Sequence, residues 1–175
     1  MNRARQVWVA AGLAFSCMFA LQAQAPAASA NSFLGSWKRN FEKSGTPQPG
    51  VVSVRQYQDR GGGLMLHTIV TTTPNGATFT FTAARYDGKE YPVYVPRTLG
   101  EFLNAGTKPA RTVAFTRKDA NTLEWTDRQN GRISSTGVNQ VSDDGKTMTE
   151  TVNQFDAQGK QTSNSVVVFD RLAWR

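Results

Sequence analysis

The chain is poor in the residues on which several chemistries depend. Of its 175 residues one is cysteine, Cys17, and one is histidine, His67. No disulfide can form within the chain, and zinc sites built from two histidines or paired cysteines are excluded. No stretch has the length of a membrane-spanning helix: the longest apolar run, Val7 to Leu21, is interrupted by Gly12, Ser16 and Cys17. Charge of one sign never gathers, because 20 Lys and Arg are interspersed with 13 Asp and Glu for a formal net charge of +7. Nucleic acid is therefore not an expected partner, although a diffuse basic surface suits weak contact with anionic lipid or cell-wall polymers. Gly61-Gly62-Gly63 lacks a following Lys-Ser/Thr and helix, so it is not a phosphate loop. Asp143-x-Gly145 lacks the oxygen ligands of a calcium loop, and no nucleophile-elbow motif is present.

What is present begins with a targeting segment. Arg3 and Arg5 precede the apolar run, and Ala28-Ser29-Ala30 has the small-x-small form of a secretory cleavage site. The expectation is a signal peptide over residues 1–30, a mature chain starting at Asn31, and a periplasmic or secreted location. An alternative is lipid attachment at Cys17, after Ala14-Phe15-Ser16, although Phe15 is a poor neighbour and apolar residues continue past the cysteine. Loss of Arg3 and Arg5 would take the formal charge from +7 to +5. Residues 31–175 have the length of one domain, and their core must hold the fold without disulfides.

Across that domain, short runs rich in Thr, Val, Tyr and Phe alternate with strong turn signals. "LMLHTIVTTT" ends at Pro74-Asn75-Gly76, "ATFTFTAARY" at Asp87-Gly88, "TLEWTDRQ" at Asn130-Gly131 and "KTMTETVNQF" at Asp156-Ala157-Gln158-Gly159. Asn-Gly and Asp-Gly supply the positive φ that tight hairpins require. Phe79 and Phe81 alternate with threonines, as do Leu123 and Trp125 with Thr122, Glu124 and Thr126. About eight to ten strands joined by short hairpins predict an all-β, antiparallel up-and-down meander. Closing it into a barrel removes its exposed edges. One segment interrupts the rhythm, Arg97 to Ala110. Thr98 and Glu101 have capping-box spacing, and the segment is expected to form a short helical turn on a loop at the barrel mouth, as a lid or as an insertion without a role.

Phe33-Leu34-Gly35-Ser36-Trp37-Lys38 resembles the first strand of lipocalins and fatty-acid-binding proteins. Most of the domain is also similar to small exported bacterial lipocalin-like proteins, a group without a defined activity. The matching pieces are "GSWKRNFEKS", "YDGKEYPV", "DANTLEW", "VSDDGKTMTETV" and "DAQGK". The resemblance implies that Gly35 and Trp37 close one end of the barrel, with Arg171 from the last strand packed on the indole. It also implies a small apolar or amphipathic ligand inside the barrel, by analogy of fold. No cofactor and no metal are implied.

The candidate ligand-lining residues are Phe79, Phe81, Tyr94, Arg111, Phe115 and Trp125, aromatics of the central strands and mouth with one cation. Arg111 alternates in phase with Val113 and Phe115, and on an inward face would anchor a ligand carboxylate. His67 shares its strand face with Met65 and Ile69; a satisfied wall histidine is the default reading, acid/base catalysis the alternative. Glu124 and Glu150 lie within strands, with surface placement as the default and paired wall carboxylates as the alternative. The turn acids Asp59, Asp87, Asp119, Asp143, Asp144 and Asp156 fix backbone geometry. Three functions follow from these options: an exported carrier, a barrel enzyme (isomerase, cyclase or hydrolase), or an envelope protein whose barrel is packed solid.

Overall fold

The computed structural model of the chain describes residues 31–96 and 110–173. The expected signal peptide, and all but Ala110 of the segment Arg97 to Ala110 expected to carry a helical turn, lie outside the described residues. Within them stand ten strands: β1 (Gly35–Asn40), β2 (Val52–Asp59), β3 (Met65–Thr73), β4 (Gly76–Ala84), β5 (Asp87–Pro92), β6 (Arg111–Arg117), β7 (Thr122–Gln129), β8 (Arg132–Val141), β9 (Thr147–Phe155) and β10 (Gln161–Arg171). No helix occurs among the described residues.

The turn chemistry explains the breaks. Asn130 and Gly131 both take positive φ, 51° and 79°, which is the backbone of a two-residue hairpin joining β7 to β8. Asp59, Asp119, Asp144 and Asp156 each accept a backbone N–H two residues ahead, at 2.7 to 3.0 Å. These bonds to the ionised form hold the carboxyls of Asp119 and Asp144 below the usual range.

Strands adjacent in sequence pair antiparallel, except β4 and β5, in the order β4-β3-β2-β1-β10-β9-β8-β7-β6-β5. The β1–β10 pairing, with Trp37 opposite Arg171, joins the first strand to the last. The remaining seam lies between β4 and β5. Across it the backbones of Phe81 and Tyr94 exchange N–H···O bonds of 3.0 and 2.9 Å, and Thr82 Oγ1 donates to the Pro92 carbonyl at 2.7 Å. The result is an all-β, nearly closed barrel of ten antiparallel strands.

Period-two alternation sorts the side chains. On β3, Met65 and His67 are buried, and their partners on β4 are Ala84 and Thr82, also buried. On β6 and β7, Val113, Phe115, Leu123 and Asp127 turn inward. Fully buried Phe33, Trp37, Leu123, Met148 and Phe169 pack together and fill one end. Trp37 is the plug: its Nε1 donates to the Phe33 carbonyl at 2.8 Å, and the Arg171 guanidinium lies 4.1 Å from its ring centre. Arg171 also donates to the carbonyls of Leu34 (2.6 Å), Ser32 (2.5 Å) and Gly145. Gly35 is required there. Its φ is +114°, and a Cβ would stand 3.2 Å from Arg171 Nη1. A second strap escaped sequence reasoning: Arg117 sits over the Tyr86 ring at 4.8 Å and donates to Asn31 Oδ1 at 2.8 Å.

Candidate ligand site

Above the plug the barrel interior becomes polar, and the reason is visible in the strand phases. Arg55 shares the inward face of β2 with Ser53 and Tyr57. Asn139 lies between Gly137 and Val141 on the inward face of β8, and Glu150 lies beyond Met148 on that of β9. The barrel wall therefore carries polar groups to positions that alternation reserves for the core.

They satisfy one another closely. Arg55 forms a two-toothed ion pair with Glu150, at 2.6 and 2.7 Å, and its guanidinium also covers the Phe169 ring at 4.5 Å. Burial pushes the Arg55 pKa down, but the Glu150 carboxylate more than offsets this, so the guanidinium stays charged. Trp125 Nε1 donates to Asn139 Oδ1 at 3.1 Å, and Asn139 Nδ2 donates to the Tyr57 hydroxyl at 3.3 Å. Burial raises the Tyr57 pKa, so the phenol stays protonated. Nearer the other end, Arg111 binds Asp127 Oδ2 through Nε at 2.7 Å and Nη2 at 2.6 Å, while Ser134 donates to Asp127 Oδ1 at 3.0 Å. A third inward guanidinium, Arg39, lies over the Phe41 ring at 4.5 Å. Its pKa is lowered by burial and then by the neighbouring Arg55 charge.

His67 sits at the floor of this layer. Its ring stacks on Phe115 at 4.5 Å and meets the Tyr57 ring edge-on at 4.6 Å. Burial, reinforced by the Arg55 charge, pushes its pKa down to about 3, so the imidazole is neutral. Its Nε2 is buried without a hydrogen-bond partner among the described residues, and so is Arg55 Nε. Buried polar atoms without partners are uncommon and mark places where a further group fits.

Both atoms belong to residues that line a cavity of about 110 Å³. Phe115, Trp125 and Arg111, expected as lining residues, are there, and Phe81 contributes at the seam. Arg111 is not a free anchor, because Asp127 already holds it. Phe79 and Tyr94 are not lining residues. Thr80 and Thr82 take the inward positions of β4 because Thr82 stands opposite buried His67, which turns Phe79 and Phe81 outward. Phe79 is 39% exposed, and the Phe81 and Tyr94 rings stack at 5.0 Å beside the seam. Glu124 faces outward against Lys118, as the surface reading expects, whereas Glu150 is buried, contrary to it. Arg55, Tyr57, Asp127, Asn139 and Glu150 are the residues that sequence reasoning missed. A polar residue flanked two positions away by apolar or small ones is the signal that could have found Asn139 and Glu150.

No three His, Cys, Asp or Glu side chains cluster to hold a metal among the described residues. Trp125 owes its position to Gly137 across the β7–β8 ladder. A Cβ at that position would overlap the indole and come within 2.6 Å of the Thr151 carbonyl oxygen.

The barrel superposes on the wild-type fluorescent protein UnaG with a TM-score of 0.51 and 15% identity, over 80% of this chain and 97% of that one. The likeness is one of fold, an all-β antiparallel barrel. A point mutant of UnaG aligns with this barrel at a TM-score of 0.50 and 15% identity, over 82% and 98% of the two chains. The Echinococcus granulosus fatty-acid-binding protein 1 aligns at 0.47 with 13% identity, over 81% and 98%. No protein-family profile and no curated protein matches the sequence.

Proposed function

We propose that the chain is an exported, calycin-type carrier that binds one small apolar or amphipathic molecule inside its barrel. The observation that carries the proposal is the cavity of about 110 Å³ between the Trp37 plug and the Arg111–Asp127 pair. Its lining combines the aromatic faces of Phe115 and Trp125 with unpartnered polar atoms on His67 and Arg55. That mixture of apolar walls and a few convergent polar groups is typical of ligand pockets. A barrel packed solid as an envelope protein has no use for such unsatisfied groups, each of which costs stability.

The enzyme alternative lacks comparable support. Glu150 and Asp127 are each bound by an arginine, and His67 Nε2 has no hydrogen-bond partner among the described residues. Export rests on Arg3, Arg5, the apolar run and Ala28-Ser29-Ala30. Two measurements test the proposal. Tryptophan fluorescence and native mass spectrometry against lipids and terpenoids should show stoichiometric binding, and no response across the panel defeats the carrier. N-terminal sequencing of exported protein should begin at Asn31.

A further inference from the structure

The charge balance of the cavity narrows the class of molecule it takes, an inference that rests on the carrier reading above. Four charged side chains line it, Arg55, Arg111, Asp127 and Glu150, and their formal charges sum to zero. None is free. Both Nη atoms of Arg55 are committed to Glu150, and Arg111 is committed to Asp127. Among the buried donors of these two cations, Arg55 Nε is the one without a partner among the described residues. A ligand carboxylate placed there would stand beside the Glu150 carboxylate that shares the same guanidinium. Like charges so placed, away from water, repel strongly.

An uncharged oxygen meets no such penalty. His67 reinforces this preference, because its neutral Nε2 needs either a donor or an acceptor depending on which ring nitrogen holds the proton. A hydroxyl group supplies both. The size points to a ring: a cavity of about 150 Å³ accommodates benzene, and the space here is of that order, walled by the stacked His67–Phe115 pair and by Trp125. We propose that the buried part of the ligand is an uncharged, hydroxyl-bearing ring compound, a phenol or cyclic alcohol, hydrogen-bonded to His67 Nε2, and not a carboxylate.

The experiment compares three probes of similar size at neutral pH: para-ethylphenol, para-ethylbenzoate and ethylbenzene. Binding to the purified protein is read by calorimetry and by Trp125 fluorescence. The phenol should bind at least about ten-fold more tightly than the benzoate, since a buried charge without a partner costs more than one hydrogen bond returns. His67→Phe keeps the ring and its stacking. It should weaken the phenol by about three- to ten-fold, the worth of one hydrogen bond, with folding checked by circular dichroism and urea unfolding. Glu150→Gln frees Arg55 and should raise benzoate affinity by about ten-fold or more. A wild-type protein that takes the benzoate as tightly as the phenol overturns the inference and leaves the carrier reading standing. Unchanged phenol binding in His67→Phe likewise overturns it. If none of the three probes binds, this inference falls, and the carrier reading is decided separately by the lipid and terpenoid panel.

Discussion

Replacing His67 by Phe should change how the fold responds to acid. In the wild-type protein the imidazole has a folded-state pKa of about 3, against 6.5 when unfolded. Between those values the unfolded chain binds a proton that the folded chain refuses. Stability therefore rises with pH across this window and is lost as pH falls through it. Each pKa unit is worth about 1.4 kcal/mol, so between about pH 6.5 and about pH 4.5 the wild type should lose about 3 kcal/mol through this one group. A phenylalanine at the same site keeps the stack on Phe115 and has nothing to protonate. The turn carboxylates held low, such as Asp119 and Asp144, contribute their own acid sensitivity nearer their ordinary pKa, and equally in both proteins. The assay is urea denaturation followed by tryptophan fluorescence and circular dichroism at a series of pH values. The quantity of interest is the difference in unfolding free energy between the two proteins. It should move in favour of His67→Phe as pH falls. A difference that stays flat across the window would mean that His67 protonates in the folded barrel, and the account of its burial would be wrong.

Three further outcomes follow from the packing. Gly137→Ala should cost about 1–3 kcal/mol, because the new methyl must displace Trp125, and the tryptophan emission should shift as the indole moves. Arg171→Met should lower stability by about 2–4 kcal/mol by stranding the carbonyls of Ser32, Leu34 and Gly145, measured by thermal or chemical unfolding. Breaking the Arg55–Glu150 pair from either side should cost about 3–5 kcal/mol. The double variant Arg55→Met with Glu150→Leu should cost clearly less than the sum of the two single changes, and a double-mutant cycle that proves additive would refute the coupling.

The architecture was legible because its signals are local. Asn130-Gly131 forms the hairpin its residues demand, the turn aspartates hold the next N–H groups, and Trp37 meets Arg171 as the resemblance implies. Phase was harder. Phe79 and Phe81 alternate with threonines in a way that fits either face, and hydrophobicity favoured turning the aromatics inward. The register instead sets Thr82 opposite His67 and leaves Phe79 at the surface. Glu150 misled for a related reason. A carboxylate in a strand is ordinarily solvated, and what permits this one to be buried is Arg55, a residue 95 positions earlier in the chain. Pairing across the barrel has no signature in a single sequence. The cavity itself is a difference between the volume of the wall and the volume of its side chains, which no local pattern encodes.

The plug also bears on the order in which the protein can fold. Arg171 reaches back 137 residues to the Leu34 carbonyl, and among the described residues β10 supplies the ladder that joins β1 to the second half of the sheet. Until the final strand is available, Trp37 has no cation over its face and the first four strands keep an open edge. Contacts so distant in sequence form late and slowly. The lock that completes the barrel is carried by its last strand, so the two halves of the sheet join only when β10 docks.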